Sequence, residues 1–516
     1  MRARSSERSV AAVVLVLALA CGLALRAVAI AEKPAVTHDE AISYLAATCH
    51  QRDWERVRTR GLPPAATWTT AGEWRELVEP DRFACLGRIG DDLSRHDIHP
   101  PLYFWLLHVW VAALGVGTAT GAALNLPIFV ATAAALFGLG RRLLANDLHA
   151  ASVVFVWAVS PAVVPISAEA RMYDLVALIA VLFAWQVVRV AGAPRAAGAG
   201  GLALLALVTA AGTLTAFTFP LVALAGAAWL VLRLARRDRG RLGVALAALV
   251  AGFALFLVVH PHFASSLEQQ QEQVRVGFSL GRLPARLDRT AEAFVGFALP
   301  AEVVTRGVAR VVFGLAALAA AVALARRRPR LPRDAAAALL FAAVAVAGTT
   351  LLYLSFRSHG LAIGGKYMAT AWPFVAFVPV LALRRRPAIL VAACAALLGA
   401  GLVAALTLWP DAHPPRAAPS ARVVVDTTRR GVLIPIVLQL PERQPLYAAP
   451  QRDLIRRPER WLARLRPGDL YVADTTYGKP AERRAILALI GRRHRTRDAP
   501  GGFAGADNRA FVLGGR

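Results

Sequence analysis

The chain has 516 residues, of which 57% are hydrophobic, and its mean hydropathy is +0.50. Soluble globular proteins rarely stay so apolar over this length, and several runs approach the ~20 apolar residues that cross a bilayer. The net charge of +26 would favour a nucleic-acid partner in a soluble protein, but much of it lies in short arginine clusters between apolar segments. That arrangement is the positive-inside pattern, and no stretch interleaves basic residues with stacking aromatic rings. We therefore predict a polytopic α-helical membrane protein that binds no nucleic acid.

Five arginine clusters mark the predicted cytoplasmic face. Helices placed between them give about eleven spans, with the N-terminus in the cytoplasm and the long loops 31–120 and 260–306 outside. The first span could be a signal peptide, but it lacks a convincing small-residue cleavage site, so we predict a retained helix. The clusters are Arg141-Arg142, Arg189 with Arg195, Arg233 to Arg241, Arg326 to Arg333 and Arg384-Arg385-Arg386. The predicted spans are 10–30, 121–140, 150–168, 173–190, 200–219, 220–234, 242–259, 307–325, 335–354, 367–383 and 387–408.

One apolar segment of the first outer loop, Pro101–Gly115, could be a further span. That choice would invert the later topology and place the arginine clusters outside. We predict instead a helix lying in the outer interface, where Trp105, His108 and Trp110 suit the aromatic belt. The same loop contains Trp54, Trp68 and Trp74 among charged residues, which predicts further amphipathic segments on the membrane surface.

The tail differs in character from the membrane domain, which we place at 1–409. A proline-rich linker at 410–419 precedes residues 420–516, where apolar runs predict strands and two segments predict helices. This pattern indicates a small extracytoplasmic α/β domain. The predicted strands are Arg422–Asp426, Pro445–Tyr447 and Gly468–Asp474, and the predicted helices are Leu454–Leu465 and Ala481–Ile490.

The four cysteines divide between two environments. Cys21 and Cys394 lie in apolar spans, whereas Cys49 and Cys85 share the first outer loop. If that loop lies outside the cytoplasm, an oxidising compartment favours a disulfide between Cys49 and Cys85. No Cys/His spacing indicates a zinc site.

Two adjacent carboxylates, Asp39 and Glu40, follow the first apolar segment. An acidic pair at a bilayer edge is costly unless it faces water, a partner or a substrate, so it is a candidate site; a solvated loop start is the alternative. Other unusual polar residues fall on the same predicted face, although each also has a structural explanation as an ion pair or interfacial anchor. Together they predict one polar chamber with acids in front and cations behind. They are His99, Tyr103, Glu169, Arg171, Tyr173, Asp174, His260, His262, Arg357, Lys366 and Tyr367.

The chemistry of this set indicates group transfer. A carboxylate can act as general base on a hydroxyl, and arginine or lysine can stabilise a departing phosphate. A chamber opening from the membrane suits a lipid-linked substrate. We therefore expect transfer of a group from a lipid phosphate to an acceptor hydroxyl.

The order of these motifs resembles the polytopic glycosyltransferases of the C-type fold. The motifs are Asp39-Glu40, HPPLY at 99–103, SPAVVPISAEARMY at 160–173, and Lys366-Tyr367 near Pro373. The closest branch by this resemblance is family 39 with its bacterial relatives, which include protein mannosyltransferase-like and aminoarabinose transferase-like enzymes. The resemblance covers roughly residues 10 to 400.

This resemblance implies a polyprenyl-phosphate sugar donor, an inverting single displacement, and a bacterial inner membrane as the location. It implies Asp39 as the catalytic base with Glu40 as its neighbour. It also implies donor-phosphate contacts from Arg171, Lys366 and Tyr367, and Arg357, one of the cations of the predicted chamber, is a further candidate for phosphate binding. Asp174 lies near the place of a second acid in relatives. A Tyr-x-His that relatives frequently carry is replaced here by Thr215-Ala-Phe217, which leaves the sugar open.

Some C-type enzymes use a divalent metal, and Asp39, Glu40 and Asp174 could supply oxygen ligands. Because the chain has no dense carboxylate cluster, we favour a protein without metal or other cofactor. The expected partners are the lipid-linked sugar, membrane lipids, and a glycan, lipid or protein acceptor. A non-enzymatic lipid-linked sugar transporter or lipid-binding scaffold is the alternative, and an inactive relative stays open because of the missing histidine.

Overall fold

The computed structural model describes residues 2–80, 84–97, 99–261, 263–265, 268, 278–300, 303–315, 334–352, 354, 365–409, 421–499 and 508–515. Within these ranges six helices are long and apolar enough to cross a membrane. The chain is therefore a polytopic α-helical membrane protein that also carries a small sheet, as the composition predicts. The six segments are Glu7–Ala31, Thr120–Leu144, Tyr173–Gly192, Arg239–Val259, Ala335–Leu352 and Pro387–Thr407.

The first helix, α1 (Arg2–Ala31), contains no proline and ends shortly before Pro34, which disfavours helical backbone at the preceding residue. One side of α1 exposes apolar side chains, as a face that contacts lipid does, and Val16 keeps 63% of its reference surface. The opposite side packs closely, because an added Cβ at Gly22 would collide with the ring of Phe129. The glycine thus permits the close approach of α1 to the neighbouring helices.

Residues after α1, in the predicted first outer loop, form a folded layer rather than an open loop. We call it the first outer layer, or outer layer, after that prediction. Its elements are α2 (His38–Ala47), α3 (Gln51–Arg60), β1 (Trp68–Thr70), α4 (Ala71–Arg75), α5 (Leu86–His96) and α6 (Leu102–Leu114). With 13 residues, α6 is about 20 Å long, short of the ~30 Å hydrocarbon core. This length agrees with an interfacial position for α6. Cys49 and Cys85 are joined by the expected disulfide, with their Cα atoms 6.4 Å apart.

The expectation that the tryptophans of this layer lie on the membrane surface is wrong for two of them. Trp54 and Trp74 are fully buried, and their ring centroids lie 5.4 Å apart. The indole nitrogen of Trp54 donates to the carbonyl of Thr428, 3.1 Å away in the tail. The third, Trp68, donates to the carbonyl of Arg460. These rings therefore join the first outer layer to the tail.

The helices of the membrane region follow the predicted spans with three differences. The predicted span 367–383 is interrupted, because a 3-10 turn at Gly365–Met368 precedes short helices at Trp372–Val375 and Phe377–Leu383. The predicted span 150–168 is broken, because α9 ends before Pro161 and only one short turn follows. The predicted span 307–325 is helical at 306–315 and continues outside the described residues. The helices are α7 (Thr120–Ala123), α8 (Asn125–Leu144), α9 (Asp147–Ala158), α10 (Val164–Ser167), α11 (Tyr173–Gly192), α12 (Ala199–Thr215), α13 (Phe219–Leu234), α14 (Arg239–Val259), α15 (Leu283–Gly296), α16 (Ala335–Leu352), α17 (Trp372–Val375), α18 (Phe377–Leu383) and α19 (Pro387–Thr407).

The tail forms a mixed six-stranded sheet in the order β1-β3-β2-β4-β6-β5. Three central strands, β3, β2 and β4, are parallel, and β2 and β4 are wholly buried, as apolar strands of covered parallel sheets are. The edge strand β1 comes from the first outer layer and pairs antiparallel with β3. The tail elements are β2 (Val423–Val425), α20 (Arg430–Gln439), β3 (Pro445–Ala448), α21 (Gln451–Arg456), β4 (Leu470–Asp474), α22 (Pro480–Gly491), β5 (Arg495–Asp498) and β6 (Asn508–Gly514).

Two features of the tail depart from the sequence-based prediction. The single helix predicted at Leu454–Leu465 is wrong, because α21 ends at Arg456 and two 3-10 turns follow Pro458. The helix α20 was not anticipated, since it contains Pro435, which normally disfavours a helix interior. Burial of its apolar residues offsets that cost. The predicted linker, 410–419, lies outside the described residues.

Candidate active site

The acidic pair lies in the first turn of α2, where a capping box fixes the start of the helix. The hydroxyl of Thr37 accepts from the backbone nitrogen of Glu40, and the Glu40 carboxylate accepts from the nitrogen of Thr37 at 2.8 Å. Such reciprocal bonds satisfy two of the free donors at a helix start. The sequence TxxE therefore determines which way the two neighbouring carboxylates point.

Glu40 is fully buried and occupied by internal partners. Its Oε1 lies 2.5 Å from Nζ of Lys33 and accepts from the backbone nitrogen of Ala170 at 2.8 Å. Lys33 also donates to the carbonyl of Ala168, and neither charged side chain is exposed. The pair thus connects the end of α1, the start of α2 and the turn before α11. Glu40 supports the site from behind.

Asp39 is the member of the pair that remains accessible, with 29% of its side chain exposed. Its Oδ2 accepts a hydrogen bond from Nζ of Lys366 at 2.7 Å. Burial alone would raise the pKa of Asp39, but Arg171 and Lys366 outweigh it and hold that pKa well below its usual range. The carboxylate is therefore ionised in the resting site.

Lys366 lies between two acids and two aromatic rings. Its Nζ is 3.5 Å from Oε2 of Glu169 and 6.0 Å from the ring centroids of Tyr173 and Tyr367. Burial opposes the charged form, yet Glu169 and Asp39 raise the pKa of Lys366 above its usual range. The ammonium is thus a stable cation with 30% of its side chain exposed.

Glu169 is the less acidic carboxyl of this group. Burial raises its pKa above the usual range, and the negative charges of Asp39 and Glu40 act in the same direction against the opposing effect of Lys366. Asp39, whose pKa is lowered, and Glu169, whose pKa is raised, therefore both pair with Lys366.

Arg171 lies behind Asp39 rather than against its carboxylate. One guanidinium nitrogen donates to the backbone carbonyl of Asp39 at 3.3 Å and to the hydroxyl of Ser43 at 3.2 Å. The other lies 2.8 Å from Nε2 of His99. Burial would lower the pKa of Arg171, but Asp39 and neighbouring groups raise it above its usual range.

A polar chain continues from Arg171 into the tail. The Nδ1 atom of His99 lies 2.5 Å from Asp97, whose second oxygen accepts from Arg430 of α20 at 2.8 Å. The carboxylate requires a proton on Nδ1, so Nε2 is the acceptor for Arg171. Asp97 belongs to the same polar cluster of the sequence as His99, but Arg430 was not singled out, because its meeting with Asp97 depends on how the tail docks.

A cavity of about 620 Å³ adjoins this group. Glu169 and Lys366 line one side, and Arg289 and Arg306 bring two more cations from the second outer loop. Glu292 pairs with both arginines, at 2.7 Å from Arg289 and 3.4 Å from Arg306. The sequence prediction missed these three, although acids and arginines alternating in an outer loop were an available signal. The remaining lining residues are Pro161, Ala162, Pro165, Ile166, Ala293, Gly296, Val304 and Gly365.

Several other predicted residues lie elsewhere. Asp174 bonds Ser167, whose hydroxyl accepts from the buried Arg26 at 2.9 Å, so it belongs to a cluster within the membrane helices. Arg26 was missed, although an arginine inside an apolar span is itself a signal. Tyr103 is fully buried edge-on to Phe104.

His260, at the start of the predicted second outer loop, packs among aromatic rings. The ring of His260 is buried and contacts the rings of Phe217 and Phe256, at centroid distances of 6.3 and 5.9 Å. His262 and Arg357 lie outside the described residues.

The described residues offer little for a metal at this site. Lys366 already lies between the carboxylates of Asp39 and Glu169, where a divalent cation would compete with it. Three potential ligands do meet elsewhere, namely Cys49, Cys85 and His108, but both sulfurs belong to the disulfide. Metal independence stays a prediction.

No protein-family model and no curated protein matches the chain. Among solved structures, the chain is similar to ArnT from Cupriavidus metallidurans bound to undecaprenyl phosphate, with 15% identity, coverage of 96% of this chain and 97% of that one, and a TM-score of 0.49. It is also similar to the archaeal oligosaccharyltransferase AglB from Archaeoglobus fulgidus, with 12% identity, coverage of 98% and 74%, and a TM-score of 0.45. The Saccharomyces cerevisiae protein O-mannosyltransferase Pmt1-Pmt2 aligns at 14% identity over 51% of this chain and 34% of that one, with a TM-score of 0.34.

The solved structures to which the chain is similar thus include an oligosaccharyltransferase and a protein O-mannosyltransferase, and the motifs resemble enzymes of the latter kind. At identities of 12–15% and TM-scores below 0.5, these alignments carry no residue role, substrate or reaction over to this chain. The chemistry of the site has to be argued from its own residues.

Proposed function

We propose that the protein is a membrane glycosyltransferase that moves a sugar from a polyprenyl phosphate to an acceptor hydroxyl, with inversion at the anomeric carbon. The observation that carries this proposal is the pairing of the accessible Asp39 carboxylate with Lys366 at the edge of a cavity lined by further cations. A base beside a site for an anionic leaving group is what such a displacement requires.

In the proposed reaction, Asp39 accepts the proton of the acceptor hydroxyl while the oxygen of that hydroxyl attacks the anomeric carbon of the donor sugar. The new carbon–oxygen bond forms as the bond between that carbon and the phosphate oxygen breaks, and polyprenyl phosphate leaves. Lys366 stabilises the phosphate, and Arg289 and Arg306, which line the same cavity, add positive charge to it. Arg171 holds Asp39 through its backbone carbonyl and Ser43, and is thus a positioning residue.

The pairing of Asp39 with Lys366 also gives the donor a means of activating the base. A carboxylate whose pKa is held low is a weak proton acceptor. When a donor phosphate draws Lys366 away, Arg171 is left as the main group that opposes the effect of burial, so the pKa of Asp39 rises and the base strengthens. The base is therefore stronger when the leaving group is in place.

We place the site on the extracytoplasmic side of a bacterial inner membrane, with the tail outside and the N-terminus inside. The arginine clusters of the opposite loops support this orientation. Reporter fusions at Arg237 and Arg328 test it, and an extracytoplasmic signal at both positions would overturn it.

The reaction is tested by supplying the purified protein in proteoliposomes with a radiolabelled polyprenyl-phosphate sugar and a cell-envelope extract as the acceptor source. We expect covalent transfer of the label to the acceptor fraction. Movement of the intact donor across the bilayer without transfer would instead support the lipid-linked sugar transporter.

A further inference from the structure

A second cavity, of about 330 Å³, lies in the tail at the carboxyl ends of the three parallel strands. From β2 the chain passes through α20 to β3 on one side, and later enters β4 on the other side of β2. The strand order therefore reverses at β2. Open α/β sheets bind ligands in the crevice outside the carboxyl ends of strands at such a reversal. We call this cavity the tail crevice.

The floor of the tail crevice is a buried carboxyl group that is already occupied. Oδ2 of Asp426 accepts from Nε2 of Gln451 at 2.6 Å and from the hydroxyl of Tyr471 at 2.8 Å, while Oδ1 accepts from the backbone nitrogen of Asp474 at 2.6 Å. Burial raises the pKa of Asp426 to about 6. The floor thus orders the strand ends rather than offering a strong negative charge to a ligand.

The rim of the tail crevice is positively charged. Four cations line it, namely Arg58, Arg429, Arg452 and Lys479, and Arg58 pairs with Glu55 at 2.6 Å. The acids of the lining besides Asp426 are Glu482, which pairs with Arg452 at 3.3 Å and Lys479 at 3.6 Å, and the buried Asp474, whose Oδ1 accepts from two backbone nitrogens. In the part of the chain that the structure describes, Arg429 forms no ion pair; its guanidinium lies 4.8 Å from the ring centroid of Tyr477. Exposed cations that outnumber their acids favour an oxyanion ligand.

The tail crevice is next to the proposed base. Tyr477, on its rim, has its hydroxyl 3.2 Å from Nε2 of His38, and His38 immediately precedes Asp39 in α2. The same imidazole packs against Gly431, where any side chain would collide with the ring. The rim residue Tyr477 therefore connects the crevice to the turn of α2 that carries Asp39.

We propose that the tail crevice binds a phosphate or carboxylate group of the sugar acceptor, so that the acceptor is a small anionic saccharide unit. This inference rests on the proposed transfer reaction for the role of the ligand, but not for its binding. A volume near the lower end of ligand sites suits a single charged sugar residue and excludes a polyprenyl chain. The acceptor hydroxyl would then reach Asp39 past His38.

Binding is tested on the full chain in detergent by calorimetry with three probes: inorganic phosphate, glucuronate and glucose. We expect phosphate and glucuronate to bind and glucose not to bind. The variant Arg429→Ala with Lys479→Ala should weaken glucuronate binding at least about tenfold, because charge-assisted contacts are lost. Both side chains are exposed, so their removal leaves the core intact. The matched control, Arg443→Ala with Arg492→Ala, removes two exposed arginines that the crevice does not include.

The variant Lys366→Met distinguishes anion binding in the tail crevice from anion binding in the 620 Å³ cavity that Lys366 lines. Glucuronate binding that survives Lys366→Met and is lost in the Arg429/Lys479 variant supports the proposal. Binding that is unchanged in the Arg429/Lys479 variant, or equally tight binding of glucose, overturns it. If this binding pattern holds but no sugar is transferred, the proposed reaction fails while the crevice remains an anion site. If transfer occurs and the crevice variant binds as the wild type does, the inference alone fails.

Discussion

Nζ of Lys366 lies 2.7 Å from Oδ2 of Asp39, although 327 residues separate them in the chain. Asp39 lies in the first turn of α2, in the outer layer, and Lys366 lies in the 3-10 turn before α17. Their contact joins the outer layer to the turn before α17 at the candidate active site. It also means that removing either charge changes the ionisation of the other.

Replacement of Asp39 by asparagine should abolish the base while preserving shape. Loss of a correctly placed general base typically lowers the rate ~10²–10⁴-fold, and we expect that loss in kcat for sugar transfer. The matched control is Asp91→Asn, which alters an exposed carboxylate in α5. Transfer by Asp39→Asn within about twofold of the wild-type rate would remove Asp39 from the mechanism.

Replacement of Lys366 by methionine should shift the pH dependence of transfer. In the wild type, Lys366 and Arg171 hold the pKa of Asp39 below its usual range, so the base stays ionised into acid solution. Without Lys366, burial is opposed chiefly by Arg171, and the pKa of Asp39 rises. The acid limb of the pH–kcat/KM profile should therefore move to higher pH.

The charge-preserving variant Lys366→Arg is the control for this shift, and its acid limb should stay close to that of the wild type. An acid limb that is identical in Lys366→Met and the wild type would show that Asp39 is not the group that titrates.

Replacement of Glu40 by glutamine should act on stability. The change leaves Lys33 as a buried charge without its carboxylate, and breaking a buried ion pair typically costs ~3–5 kcal/mol. Thermal unfolding in detergent should show a clearly lower midpoint. Glu55→Gln, which breaks a more exposed pair with Arg58, should cost at most about 1 kcal/mol. Equal midpoints for the two variants would contradict the structural role of Glu40.

Thiol chemistry tests the outer layer. Under denaturing, non-reducing conditions, only Cys21 and Cys394 should react with an alkylating reagent, since Cys49 and Cys85 form a disulfide. Reduction should lower the unfolding midpoint, because native disulfides typically contribute ~2–5 kcal/mol in small secreted domains. Four alkylated cysteines before reduction would show that this bond is absent from the purified protein.

The sequence sufficed for the helical class, for three buried strands of the tail and for the common location of Asp39, Glu169, Arg171 and Lys366. Each of these rests on local pattern or on which side of the membrane a loop lies. The family resemblance implies Asp39 as the base and Glu40 as its neighbour. The residues alone do not predict which of the two stays accessible, because adjacent side chains at a helix start point in directions that depend on the capping bonds.

Contacts between segments that are distant in the sequence could not be predicted either. Nothing local in Trp68–Thr70 indicates that it pairs with β3, because the pairing depends on how the outer layer meets the tail. The chain from Arg171 through His99 and Asp97 to Arg430 depends on the same docking.

The strand β1 has a consequence for biogenesis. It is translated long before its partner β3, as is Trp54, whose acceptor Thr428 lies 374 residues later. At ~5–20 residues per second, the ribosome needs roughly 20–75 s to reach that partner. During this interval β1 has no strand to pair with, and Trp54 lacks its hydrogen-bond acceptor in the tail. Chaperone binding to the nascent outer layer is therefore expected before the tail emerges.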